Sequence, residues 1–147
     1  MYLLLGHILF RLLFRQSDRQ KLVAKLDKVF SLVVRRKDAD NYGFVTCFTC
    51  GKRNHYRKMQ AGHFQTRAKY STRWKLINVK PQCPRCNMYN GGQQYAFGRK
   101  LDTVYGFGTA DKVLQLSNQT QKFSNADLQY MIDKFEQQAK TLEQRTG

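Results

Sequence analysis

Cys47-Phe48-Thr49-Cys50-Gly51-Lys52 and Gln82-Cys83-Pro84-Arg85-Cys86-Asn87 between them hold every cysteine of the chain. Two Cys-x-x-Cys pairs have the economy of a metal site more than of a disulfide framework, because thiolates spaced this way on a tight turn can point at one ion. Gly51, directly after the second cysteine, suits such a turn. Four thiolates satisfy a tetrahedral zinc completely, so the ion expected here is structural and leaves no open position for chemistry. Two redox dithiols or an iron centre are the competing readings, and neither explains the basic loop between the pairs. Cysteines used in this way belong to a reducing compartment, hence the cytoplasm.

Outward from the cysteines, Phe44-Val45-Thr46-Cys47 is short, β-prone and ends in a ligand. A second strand is expected from Tyr56 to Phe64, completing a hairpin, with a polar loop from Gln65 to Trp74 after it. Leu76-Ile77-Asn78-Val79 reads as extended, and Pro81 keeps the chain from entering a helix before the second pair. The next helix is expected over Gln93 to Tyr105, opened by Gly91 and Gly92 and closed by Gly106. Upstream, Leu22, Leu26, Val29, Phe30 and Val33 recur at three and four between Ser17 and Lys37, the mark of one buried helical face, with a stop near Asn41-Tyr42-Gly43. Downstream, Thr109 caps a short helix, and Ser124-Asn125-Ala126-Asp127 reads as a capping box before the stripe Leu128, Met131, Ile132, Phe135, Ala139 and Leu142.

These elements give an α+β fold in a chain of 147 residues, enough for one domain with a modest core. Its parts are a leader at 1–16, an amphipathic helix at 17–42, a zinc-bound core at 43–106 and C-terminal helices at 107–147. The leader is largely apolar from Met1 to Phe14 with Arg11 inside the run, and its uninterrupted apolar part is far short of the roughly 20 residues of a membrane span. It also lacks the basic start and the cleavage site of a secretory signal. No membrane partner is expected.

Lys and Arg total 26 against 10 Asp and Glu, a formal charge of +16. An excess of this size calls for an outside anion to offset its self-repulsion, and phosphate polymers are the obvious one. A basic surface without a phosphate ligand is the plainer reading, and a membrane surface is secondary. From Lys52 to Lys80 there is no acidic residue at all. Lys52, Arg53, Arg67, Lys69, Arg73 and Lys75 therefore mark the expected DNA face, extended by Arg85, Arg99 and Lys100. Tyr70 and Trp74 lie in the same stretch and are placed either to stack on unpaired bases or, for the tryptophan, in the core.

Between the cysteine pairs stand Gln60-Ala61-Gly62-His63-Phe64 and Asn78. Together with Cys83 to Asn87 these are the landmarks of HNH or treble-clef nucleases. More closely, the two knuckles, Gln60 to Phe64 and Tyr95 to Gly106 resemble the phage NinG family, also called Rap recombination endonucleases, over roughly Lys25 to Leu142. The resemblance implies a small zinc-bound ββα core of treble-clef/HNH type flanked by amphipathic helices. It implies a structure-specific endonuclease that cuts branched DNA, such as Holliday junctions and D-loops, with magnesium or manganese.

In that reading His63 is the base, since a neutral imidazole accepts a proton near pH 7. Asn78 ties the loop and orients the histidine. Asn87 binds the catalytic cation, as an asparagine does at the similar place in endonuclease VII, and an amide oxygen suits a hard ion. The pattern departs at Gly62, where many such enzymes carry Asp or His. Either His63 itself binds the metal, or a carboxylate such as Asp102 completes the site. Plainer roles are a packed His63, a turn at Asn78, a helix cap at Asn87 and a surface charge at Asp102. His7 and His55 lie outside the motif. Symmetric resolution of a junction suggests a homodimer. The alternative function is a non-catalytic zinc-stabilised DNA- or RNA-binding module, which needs the charge and the cysteines but not His63.

Overall fold

The computed structural model describes residues 17–145; the leader at 1–16 and His7 lie outside the described residues. Helix α1 runs Asp18–Arg36. Ser17 caps it through a full capping box: its hydroxyl accepts from the Gln20 N–H at 3.2 Å, and the Gln20 side chain accepts from the Ser17 N–H at 2.8 Å. Asp18 in the first turn and Arg35 and Arg36 in the last complement the helix dipole. The expected stripe is buried, with Leu26, Phe30, Val33 and Val34 almost free of solvent.

After α1, the Asp40 carboxylate accepts from the N–H groups of Tyr42 and Phe44, each at 2.9 Å, and turns the chain into β1, Phe44–Thr46. Strand β1 pairs antiparallel with β2, Arg53–His55, so the knuckle Cys47 to Lys52 is itself the hairpin turn. The Gly51 N–H donates to the Cys47 carbonyl at 3.0 Å, and the Cys47 N–H donates to the Lys52 carbonyl at 2.8 Å. Gly51 has φ +76°, where a side chain would be strained.

The hairpin therefore differs from the expected one, because the partner of β1 is not Tyr56 to Phe64. The Tyr56 N–H donates to the Gly43 carbonyl, and the chain winds into a 3-10 turn at Tyr56–Lys58 before the next strand. That strand, β3 (Gln60–His63), pairs instead with β4 (Val79–Gln82), in register Gln60↔Gln82 to His63↔Val79. The connection between them contains a one-turn helix, α2 (Tyr70–Arg73). Beyond β4, a π-helical turn at Arg85–Tyr89 carries Cys86 and Asn87 and leads to α3, Gln94–Tyr105. The order β3, β4, α3 is the ββα unit, with Pro81 tolerated inside a strand of a two-stranded ribbon.

The ribbon is sandwiched. Successive side chains alternate, so Ala61 and Val79 join the core of α1 with Leu26, Phe30 and Trp74. On the other face Phe64 packs on Phe97 of α3 at 5.6 Å between ring centres, and Phe48 does so at 5.0 Å. Helix α4, Thr109–Ser117, backs α3. Helix α5, Asn125–Arg145, starts with the expected box, Ser124 and Asp127 bonding each other's N–H groups. It adds Leu128 and Ile132 to the core. Arg19 at the start of α1 donates to the Phe123 carbonyl and Asn125 at the start of α5, while Arg36 at the end of α1 meets Glu143 near the end of α5. The first and last described helices thus run side by side in the same direction. Among the described residues no helix is long and apolar enough to cross a membrane.

Candidate metal centre and adjoining cleft

The hairpin turn after β1 and the π-helical turn after β4 bring the four cysteines together. Their sulfurs all lie within 4.8 Å of one another, and the Sγ atoms of Cys50 and Cys83 are 3.8 Å apart. Tetrahedral zinc with thiolates at about 2.3 Å places sulfurs about 3.8 Å apart, so the cluster fits that ion. None of the four forms a disulfide. Burial works against a thiolate at Cys47, but the Cys50, Cys83 and Thr49 N–H groups and the Thr49 hydroxyl outweigh it and bring the thiol to about 6. Burial pushes Cys86 up to about 12 and also raises Cys50. Loading zinc must then displace protons from this pair.

Beside this centre, between α1, the free edge of β3 and the π-helical turn, lies a cleft of about 450 Å³. Ser31, Arg35, Met59, Gln60, Ala61, Arg67, Asn87 and Met88 line it, with no carboxylate among them. Asn87 follows the last cysteine and is held by a bond from its Nδ2 to Gln60 Oε1 at 2.8 Å. Its Oδ1 is the atom left for a cation. One amide oxygen fits a hard ion that completes its shell with water and phosphate oxygens.

His63 ends β3. Its Nε2 lies 3.0 Å from the Arg73 carbonyl and its Nδ1 lies 3.3 Å from the carbonyl of Ala61, a residue of the cleft wall. A neutral imidazole donates through one nitrogen only, and the shorter contact assigns that proton to Nε2. Burial is the main force on the ring and lowers its pKa, helped by the charge of Arg67, against the pull of the two carbonyls and of Asp27. The carbonyl that orients it belongs to a residue locked in place: the Arg73 guanidinium grips the Asp27 carboxylate at 2.6 and 3.1 Å, and Trp74 Nε1 donates to the same group at 2.8 Å. Asp27, on α1, is a support the sequence did not single out, because its partners lie more than forty positions away.

Asn78 is fully buried. Its Oδ1 accepts from the Gln65 N–H at 2.7 Å, and its Nδ2 donates to the carbonyls of Gln65 at 3.0 Å and Thr72 at 3.1 Å. It closes the loop between β3 and β4 from inside, and that loop carries the Arg73 carbonyl.

Other expected site residues are placed differently. Asp102 is on α3, where its carboxylate accepts from the Ala110 N–H at 2.9 Å and caps α4; it does not line the cleft. Arg73 is only 15% exposed and is committed to Asp27, so it belongs to the framework and not to a DNA face. Trp74 is 5% exposed and packs on Tyr70 and Phe123, which removes the indole from any open stacking surface and leaves Tyr70 half-buried against it. Arg53 pairs with Asp40. Lys52, Arg67, Lys69, Lys75, Arg85, Arg99 and Lys100 are exposed. Arg35 was missed: it lies in the amphipathic helix like any surface cation, yet its guanidinium bonds the Ser31 and Tyr56 carbonyls at the cleft.

The fold and the cysteine cluster define an α+β, metal-knuckle protein with a basic cleft beside the knuckle. A family model described as Bacteriophage Lambda NinG protein matches residues 14–145, and the chain belongs to that family. No curated protein and no solved structure matches it.

Proposed function

We propose that the chain is a structure-specific DNA endonuclease that hydrolyses phosphodiesters in branched recombination intermediates. The observation that carries this reading is a cleft lined by Asn87, Arg35 and Arg67 without a carboxylate, with the half-buried, oriented imidazole of His63 behind its wall, 3.3 Å from the carbonyl of the lining residue Ala61. With Nε2–H donated to Arg73, the Nδ1 of His63 carries the lone pair, beside the Ala61 carbonyl oxygen. Two neighbouring acceptors can hold one water by both its hydrogens, and Nδ1 takes the proton as that water attacks phosphorus, while the opposite P–O bond breaks and the leaving sugar oxygen takes a proton from solvent. Arg35 and Arg67 bind the phosphate on either side. Asn87 Oδ1 would hold a magnesium or manganese ion, which would supply charge neutralisation at the phosphate.

The missing carboxylate also favours a second reading, a zinc-stabilised module that binds DNA or RNA and does not cut it. A labelled four-way junction with magnesium or manganese separates the two. His63→Ala should lose at least about a hundredfold in cleavage rate while keeping junction binding and zinc. Wild-type protein that binds the junction and cuts under neither ion would replace the nuclease with the binding module.

A further inference from the structure

Of the two residues expected to stack on bases, Trp74 is in the core and Tyr70 is half-buried against it, yet large apolar side chains face solvent elsewhere. Tyr89 is 80% exposed and Met88 is 61% exposed. Both sit on the π-helical turn, immediately after Asn87. A π-helical turn accommodates an extra residue and recurs where a helix serves a site.

This turn is held from several directions. Cys83 and Cys86 fix its start in the metal cluster, the Asn87 N–H donates to the Cys83 carbonyl at 3.0 Å, and the Asn90 N–H donates to the Arg85 carbonyl at 2.9 Å. Gln60 Nε2 donates to Met88 Sδ at 2.9 Å. Two apolar side chains are thus presented to water on a rigid support, although the nearest core cluster already includes Cys83 and Cys86 without them.

Their surroundings indicate the partner. From Asn41 to Leu101 the chain has no Asp or Glu. Arg85 is exposed on the same turn, and Arg67 and Arg35 stand in the cleft that Met88 lines. An exposed aromatic ring on a turn that also carries Arg85, next to a cleft with two more arginines, matches a nucleobase flanked by its phosphates. Intact duplex offers only the phosphates, because its bases are stacked on each other; a branch point also offers unstacked bases.

We propose that Tyr89, backed by Met88, is a stacking wedge for unpaired bases at a branch point, and so the element that distinguishes branched DNA from duplex. This rests on the branched-DNA part of the function above and not on catalysis. The wedge would hold the branch one or two residues from Asn87, next to the bond to be cut.

The test is binding without divalent cations, with full-length protein, a four-way junction carrying 2-aminopurine at the crossover, and a duplex of the same sequence. Tyr89→Ala should weaken junction binding about tenfold, leave duplex binding unchanged and abolish the aminopurine signal. Tyr89→Phe should behave as wild type, because the ring and not the hydroxyl is used. Tyr130→Ala, which removes a 70% exposed ring on α5, should change neither affinity. Equal losses on junction and duplex, or an undiminished junction preference in Tyr89→Ala, would overturn the wedge and leave the nuclease reading standing. A wild-type protein that prefers junctions but never cuts them would do the reverse, and one with no junction preference would end both the wedge and the branched-DNA reading.

Discussion

The imidazole of His63 titrates below the ordinary histidine value of about 6.5 because burial disfavours its charged form. Two consequences have the same sign. The unfolded chain binds this proton more readily than the folded one, so the stabilisation is fully present above about pH 6.5 and is lost as pH falls toward the folded value. In its proposed role as base, the ring also stays unprotonated to lower pH. The acid limb of kcat/KM for junction cleavage should have its midpoint below 6.5; a limb at or above that value would mean that another group titrates. The neighbouring Gly62 has an equally local cause. A Cβ there would lie 1.9 Å from Oε1 of Gln82, a fully buried side chain whose Nε2 is already bonded to Gly92 and Thr49. A carboxylate or imidazole, as the HNH pattern has at this position, therefore has no room here. Gly62→Ala should cost about 1–3 kcal/mol in chemical denaturation. Combined with Gln82→Ala the two losses should be less than additive; strict additivity would deny the collision.

At the scale of elements, the loop between β3 and β4 depends on one amide. Asn78→Ala removes three bonds and leaves the Gln65 and Thr72 groups unpaired in the interior, a cost of about 2–4 kcal/mol. Cleavage should fall together with stability, because the loop carries the Arg73 carbonyl that orients His63, while zinc content stays unchanged. A fully stable variant would show that the loop holds itself. Much of this level could be read in the sequence where the determinants are local. The stripe Leu22 to Val33 gave α1, Ser124 to Asp127 gave the start of α5, and Cys-x-x-Cys gave the knuckles. The strand partners could not be read. Tyr56 to Phe64 looks continuous and β-prone, but the turn at Tyr56–Lys58 breaks it, and the partner of β3 lies across a long loop. For the site, residue types were legible and their surroundings were not. Arg73 looked like one more cation of a basic stretch until Asp27, on another element, claimed it. Tyr89 drew no notice in the sequence, because nothing local to it signals an 80% exposed ring on a π-helical turn.

At the scale of the whole molecule, three apolar clusters among the described residues are tied together by α1 and by the cysteines. The cluster at the knuckles consists of Ala39, Val45, Tyr56 and Met59 around Cys47, Cys83 and Cys86, too little apolar surface to hold two short ribbons without an ion. Cys83→Ser, or removal of metal by a strong chelator, should release one zinc per chain. It should also melt the region from β1 to the π-helical turn, visible as lost amide protection there. A variant that keeps that protection without metal would contradict a structural ion. The excess of Lys and Arg acts at the same scale: if DNA is the partner, as proposed, affinity should fall steeply with salt whatever the sequence bound.

The parallel pairing of α1 with α5 also sets an order of events during synthesis. Leu26 and Phe30 emerge from the ribosome early, but Leu128 and Ile132, which cover them, are translated about a hundred residues later. The knuckle can assemble around its ion on the nascent chain while α1 still lacks its mate and exposes a sticky apolar face. Docking of α5 is therefore the closing step, and a ribosome stalled before that helix would present chaperones and proteases with a metal-loaded but open intermediate.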